Sequence, residues 1–130
     1  MKITILVVCA GMLGVLAGCS GREKGPERYQ LSGNVTVDGK PAAAGTIMLT
    51  PDSKRGNQGP GALITFRDGS YKTGSGNGVI GGAYIAEVQA FDGISNDPSS
   101  EMGSPVTDLN TQNLDLPRAN SVQDFQLKKK

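Results

Sequence analysis

Glycine and proline recur too often after the first 28 residues of this chain for a long helix to form. The sequence holds 19 Gly and 7 Pro; glycine weakens a helix interior and proline removes one of its hydrogen bonds. Between them lie runs with period-two alternation, which is typical of half-buried strands. The residues that share one face of two such runs are Leu31, Gly33, Val35 and Val37, and then Tyr84, Ala86, Val88 and Ala90.

Turn residues separate these runs at short intervals. Asp38-Gly39 and Asp68-Gly69 tolerate the positive φ of a tight turn, so each predicts a reversal of the chain. This spacing predicts an all-β fold, a small antiparallel β-sandwich of six or seven strands. The expected strands are 29–37, 45–50, 62–66, 70–73, 84–91, a weakly patterned 106–116, and 121–127.

The N-terminus has the features of a bacterial lipoprotein signal. Lys2 precedes an apolar run, Ile3 to Leu16, which as a helix reaches about 21 Å, short of the roughly 30 Å hydrocarbon layer. The run ends in Leu16-Ala17-Gly18-Cys19, which resembles a lipobox. We expect cleavage between Gly18 and Cys19 and lipidation of Cys19. The alternatives are an ordinary secretory signal with a chance cysteine, or a buried core helix.

This interpretation divides the chain into a signal peptide at 1–18, a lipidated tether at 19–28 and one β-domain at 29–130. Removal of Cys9 and acylation of Cys19 would leave no disulfide in the mature chain. Residues 20–28 offer no apolar side chain to a core and predict a flexible tether with a mean span of about 15 to 18 Å. The expected location is the cell envelope. Residue 20 is Ser and not aspartate, which favours the outer membrane where the host has one. Whether the protein lies on the periplasmic or the surface face is left open.

Four segments carry a resemblance to a known family. They are 31–41 (Leu-Ser-Gly-Asn-Val-Thr-Val-Asp-Gly-Lys-Pro), 45–51 (Gly-Thr-Ile-Met-Leu-Thr-Pro), 66–71 (Phe-Arg-Asp-Gly-Ser-Tyr) and 82–88 (Gly-Ala-Tyr-Ile-Ala-Glu-Val). The chain resembles the carboxypeptidase regulatory-like or transthyretin-like domain. This resemblance implies a β-sandwich of Greek-key, immunoglobulin-like type with Tyr71 and Tyr84 directed inward. It does not imply a ligand, because the fold is a scaffold on which sites vary.

Composition excludes several kinds of chemistry. The chain has no His, which rules out Ser-His-Asp and Cys-His catalysis and His-ligated zinc. Its 13 basic and 12 acidic residues argue against a nucleic-acid binder, which would carry a basic excess. No nucleophile motif or metal-ligand spacing is present in the sequence. We therefore predict no enzymatic activity, no cofactor, no metal and no catalytic residue.

Two loops rich in turn residues are the candidate binding sites, because loops on a rigid sandwich can vary without disturbing the core. One spans 52–61 and the other 92–105. The oxygen atoms of the second loop suit a calcium ion, but a solvated loop is the favoured interpretation. The candidate binding residues are Asp52, Arg55, Asn57, Asp92, Asn96, Asp97 and Glu101.

The C-terminal lysines are weighed against an ordinary structural role. Lys128 to Lys130 could press against anionic lipid, although a solubilising tail is favoured.

The leading functional hypothesis is a lipid-anchored, non-catalytic module whose partners are membrane lipid, through acylated Cys19, and an envelope protein or polysaccharide. The alternative is an accessory carbohydrate-recognition lipoprotein of an uptake system. A hydrolase that uses carboxylates alone, with Glu87 and Asp92 as the pair, is the least favoured.

Overall fold

The computed structural model describes residues 27–74 and 76–130 of the chain. These residues form nine β-strands and no α-helix, so the expected all-β fold is confirmed. A 3-10 turn, Ser53–Arg55, follows the third strand. In chain order the strands are β1 (Leu31–Val37), β2 (Lys40–Pro41), β3 (Ala44–Pro51), β4 (Ala62–Arg67), β5 (Ser70–Lys72), β6 (Gly82–Phe91), β7 (Asn110–Leu116), β8 (Ser121–Val122) and β9 (Phe125–Leu127).

Two Asp-Gly pairs make the tight turns between β1 and β2 and between β4 and β5. Asp38 and Gly39 have φ angles of 51° and 80°, and Asp68 and Gly69 have φ angles of 55° and 74°. A positive φ at both central residues is the requirement of a type I′ turn, whose twist matches that of the flanking strands. Both turns lie where the sequence predicts them.

The strands form a small β-sandwich. Seven of the described strands follow one hydrogen-bonded path, in the order β2-β1-β5-β4-β3-β6-β7, and all neighbours on this path are antiparallel. The sheet curls, and one apolar cluster fills the space that it encloses. The other two described strands, β8 and β9, pair with β1 in parallel.

The C-terminal segment differs from the expected pattern in two ways. The sequence predicts six or seven antiparallel strands with one unbroken strand at 121–127, whereas this segment of the described chain forms two short strands parallel to β1. The parallel direction follows from where β7 ends: the Leu116 end of β7 lies beside the start of β6. From there Asn120 Oδ1 accepts the N–H of Gln30 at 2.8 Å. The chain therefore resumes beside the start of β1 and runs in the same direction.

The break between β8 and β9 has a local cause at Gly33. A Cβ atom on Gly33 would lie 2.0 Å from the carbonyl oxygen of Gln123, so the main chain of the C-terminal segment occupies the space where a side chain would stand. Tyr71, which is paired with Gly33 across the sheet, donates its hydroxyl to that same carbonyl. Asp124 Oδ1 then accepts the N–H of Asn34 at 2.8 Å. A carboxylate thus replaces a main-chain carbonyl, and the regular ladder is interrupted.

The inward positions agree with the period-two patterns. In β6 the alternate residues from Tyr84 to Ala90 are at most 1% exposed, and in β9 both Phe125 and Leu127 are buried. Tyr71 and Tyr84 lie in the core, as the family resemblance implies. Burying each large side chain contributes about 1.5 to 3 kcal/mol, so these positions hold the domain together.

We expect Tyr71→Phe to lower the free energy of unfolding by about 1 to 3 kcal/mol, because it leaves the Gln123 carbonyl without its donor. Tyr29→Phe is the matched control. Among the described residues the Tyr29 hydroxyl donates one weak hydrogen bond, to the exposed Glu27 carboxylate at 3.4 Å, so its loss should change the free energy by less than about 0.5 kcal/mol. Urea denaturation measures both variants, and equal effects would contradict the proposed role of Tyr71.

The same variant has a pH signature. Burial, with a smaller contribution from the charge of Asp124, raises the pKa of the Tyr71 phenol. The folded state therefore holds this proton more tightly, and the stabilisation that it provides is complete below about pH 10 and declines above it. Stability measured above pH 10 should fall more steeply for the wild type than for Tyr71→Phe.

Candidate functional sites

The two candidate binding loops lie at opposite ends of the sandwich. In the pairing of β3 with β6, Pro51 faces Tyr84 and Ala44 faces Phe91. Loop 52–61 therefore leaves β3 beside the start of β6, and loop 92–105 begins where β6 ends. The eight residues of β3 span about 24 Å. The predicted binding residues thus form two separate groups. We call the end with loop 52–61 the tether end, because Glu27 and Arg28 enter the domain there, and the other the distal end.

Asp52 and Arg55 bind each other and hold loop 52–61 against the sheet. Asp52 caps the 3-10 turn by accepting the N–H of Lys54 at 3.1 Å and binds Nε of Arg55 at 2.7 Å. The hydrogen bond from Arg55 is the main cause that lowers the pKa of Asp52. Arg55 also contacts the Asp115 carboxylate at 3.2 Å and donates to the Tyr84 carbonyl at 3.0 Å. These two residues therefore join the loop to β6 and β7.

Asn57, two residues after Arg55, has a similar structural role. Its side-chain amide donates to the carbonyl of Gly81 at 3.0 Å and to that of Ala83 at 2.8 Å, while its backbone N–H donates to the Asp52 carbonyl at 3.0 Å. One amide thus closes the loop onto the start of β6. The side chains of all three candidates in loop 52–61 are thus hydrogen-bonded to the fold.

A groove of about 560 Å³ lies beside this loop at the tether end. Its walls come from four separate stretches of sequence. Tyr29 exchanges two backbone hydrogen bonds with Val79, and this bridge brings the entering chain beside Ile80. The side chains that line the groove are Glu27, Tyr29, Asn57, Gln58, Ile80 and Arg118.

Sequence reasoning missed most of this groove. Arg118 follows Pro117 in a four-residue connection between β7 and β8 and has no local pattern that distinguishes it. A Cβ on Gly81, where φ is 80°, would lie 2.7 Å from the Arg118 Cγ. The glycine therefore lets the arginine stem pack closely against the loop. Only the tertiary fold brings these residues together. Predicting the groove would therefore require knowing which strands pair with each other.

Loop 92–105 has a built neck and an exposed tip. Asp92 Oδ1 accepts the N–H of Ile94 at 2.9 Å and of Ser104 at 3.1 Å. Gly103, with φ of 85°, would place a Cβ 1.9 Å from that same oxygen. Glycine is thus required at this position, and the two sides of the loop are held together at its base.

The tip carries the remaining candidates. Asp97 Oδ1 accepts the N–H of Ser99 at 2.9 Å, and hydrogen bonds from Ser99 lower the pKa of Asp97. Arg67 donates to the backbone carbonyl of Glu101 at 3.3 Å, and Asn96 is exposed. Within the described residues, no three potential ligand side chains gather where they could hold a metal ion.

The predicted cleavage and lipidation sites, Gly18 and Cys19, lie outside the described residues and stay predictions. In the part of the chain that the structure describes, no helix is long and apolar enough to cross a bilayer. A scan against protein-family models and a search of curated proteins found no match to this chain.

Asn57→Ala should lower the free energy of unfolding by about 1 to 3 kcal/mol, because it leaves the carbonyls of Gly81 and Ala83 without this donor. Gln58→Ala is the matched control, since Gln58 is the exposed neighbour in the same loop and should change stability by less than about 0.5 kcal/mol. Thermal and urea denaturation give both values. A neutral Asn57→Ala would show that the loop holds without this amide.

Proposed function

We propose that this protein is a lipid-anchored, non-catalytic module of the cell envelope that binds an envelope protein or polysaccharide. Leu16-Ala17-Gly18-Cys19 supports the anchor, because this motif ends an apolar run that resembles a signal peptide. The resemblance to the carboxypeptidase regulatory-like domain supports the binding role, since a β-sandwich offers variable loops on a rigid core.

The observation that carries the proposal is the placement of the exposed loop relative to the anchor. The described chain enters the domain at the tether end, eight positions after Cys19. Tyr29 fixes the chain there through its bridge to Val79. A lipid on Cys19 would hold this end near the bilayer, and loop 92–105 would project from the opposite end.

The tip of loop 92–105 is suited to contact a partner. Its neck is closed by backbone hydrogen bonds from Asp92 to Ser104 and from Gly93 to Met102, each 2.9 Å long. Ile94 is 60% exposed just beyond this neck, next to the polar Asn96. An exposed apolar side chain on a fixed base loses little conformational freedom on binding.

The arrangement of carboxylates favours binding over hydrolysis. Glu87 lies in the middle of the sheet, between Met48 and Thr111 on the neighbouring strands. Asp92 uses one oxygen to close the neck of its loop. A glycosidase needs two carboxylates facing one cleft, and neither residue lines the tether-end groove.

Cys19→Ala should abolish lipidation and release the protein from the membrane fraction, because the thiol that accepts the lipid is lost. Cys9→Ala is the matched control, since Cys9 lies within the predicted signal peptide and its loss should leave lipidation unchanged. Cell fractionation and the mass of the mature protein measure the outcome. A Cys19→Ala protein that stays in the membrane with unaltered mobility would contradict the anchor.

A photo-crosslinking residue at Asn96 should form an adduct in intact cells, whereas the same residue at Thr65 should not. Thr65 is also exposed but points from the outer face of β4. A second variant replaces 95–101 with a short glycine linker and carries the crosslinker at a position just outside this segment. The adduct should then be lost. The melting temperature should stay within a few degrees, because the neck is retained.

The nature of the adduct separates the two classes of partner. Digestion by protease indicates a protein, and digestion by a peptidoglycan or polysaccharide hydrolase indicates a glycan, as the carbohydrate-recognition alternative requires. Equal adducts from Asn96 and Thr65 would place the binding site elsewhere. No adduct from any exposed position would contradict the binding role itself.

A further inference from the structure

We propose that the tether end of the domain is a membrane-docking surface that binds the headgroups of an anionic lipid bilayer. The proposal rests on the lipid anchor proposed above. It adds that the domain is held against the bilayer in one orientation, through its own side chains.

Positive charge is exposed at the tether end. The cationic side chains exposed there in the described chain are Arg28, Lys54, Arg55, Lys72 and Arg118. Asp52 and Asp115 both bind Arg55, and with Glu27 they are the three carboxylates set against these five cations. Glu27, the exposed carboxylate that lines the groove, accepts a weak hydrogen bond from Tyr29 at 3.4 Å. An anionic surface facing this end would therefore meet a net positive potential.

The groove supplies a recess for a headgroup between these charges. Tyr29, Ile80 and Arg118 all line it. A tyrosine combines an apolar ring with a polar tip, which suits the boundary between headgroups and water. An arginine guanidinium matches phosphate with two parallel hydrogen bonds. This combination fits the phosphate and glycerol of an anionic phospholipid.

The distal end has no such excess of positive charge. Its turns and loops carry six carboxylates in the described chain, and the cations Lys40 and Arg67 lie among them. The carboxylates are Asp38, Asp68, Asp92, Asp97, Glu101 and Asp108. The three C-terminal lysines also lie there, because β9 runs parallel to β1 and Lys129 N–H contacts Asp38 Oδ1 at 3.3 Å. The seven residues of β1 place Lys128 to Lys130 about 20 Å from the tether end. The lysine tail is thus displaced from the surface nearest the anchor.

The chain between the lipid and the domain permits contact. Eight positions separate Cys19 from Glu27, which for a coil corresponds to a mean span of about 15 Å. Attraction between exposed charges and anionic lipid fades over a Debye length of about 8 to 10 Å. The tether is longer than this distance, so it lets the basic end come within range of the attraction, and the charges themselves must hold it there. Each cation near an anionic surface strengthens binding about fivefold.

The test uses the full-length mature protein in vesicles of phosphatidylcholine, alone or mixed with phosphatidylglycerol. A fluorophore on a cysteine at position 58, replacing Gln58 at the groove, reports the tether end, and one replacing Asn96 reports the distal end. With phosphatidylglycerol, the label at 58 should become shielded from acrylamide, a neutral quencher, while the label at 96 stays accessible. High salt should reverse the shielding.

Charge variants then decide whether the basic side chains are responsible. Lys54→Gln with Arg118→Gln should lower the ratio of docked to undocked protein about 25-fold. Lys128→Gln with Lys129→Gln removes the same charge from the distal end and should leave the ratio unchanged. Glu27→Gln should raise it. Equal accessibility of position 58 in both lipids, or equal loss in the two double variants, would overturn the proposal.

Mass spectrometry of the same preparations separates this proposal from the anchor. A mature protein without lipid would contradict the anchor alone. Sedimentation of that unlipidated chain with the two kinds of vesicle would then test docking, and binding that depends on phosphatidylglycerol and on Arg118 would uphold it. A lipidated protein that shows no shielding would keep the anchor and refute the docking surface.

Discussion

The contact of the Gln123 carbonyl with Gly33 is the constraint on which the closure of the core depends. The carbonyl can approach only because residue 33 has no side chain, and the Tyr71 hydroxyl satisfies it there. This contact brings the C-terminal segment onto β1, so that Phe125 and Leu127 enter the core. Without it the chain's last strands would lose their place beside the first. The parallel pairing, the break between β8 and β9 and the burial of the C-terminal apolar residues all follow from this one approach.

Much of the fold could be predicted from the sequence, because the signals for it are local. Alternation between Tyr84 and Ala90 identified the inward face of β6, and the Asp-Gly pairs identified both type I′ turns. The direction of the last strands could not be predicted in this way. Whether 121–127 pairs with β7 or with β1 depends on Gly33 and Tyr71, which lie more than 50 residues away. Alternation tells which face of a strand is buried and carries no information about its neighbour.

The candidate sites were harder to predict for a related reason. Polar loop residues predict ligand binding from sequence alone, yet Asp52, Arg55 and Asn57 bind the protein itself. An isolated loop of ten residues cannot satisfy its own backbone, so the side chains nearest the sheet are used first. The sequence does not indicate that Arg118 lines the groove, because its neighbours in space come from other segments. In a small sandwich, the residues left for binding are those that the fold does not require.

The pairing of β9 with β1 also determines when this domain can fold. The two partners are about 90 residues apart, as in the contact between Asn34 and Asp124, and the last residues of the chain complete the sheet beside the first strand. Any process that delivers the chain from its N-terminus, whether synthesis or passage through a narrow channel, therefore releases β1 and its antiparallel partners β2 and β5 long before β9. The core of the nascent domain lacks Phe125 and Leu127 until β9 emerges. The sheet beside β1 is therefore completed only when β9 has been delivered.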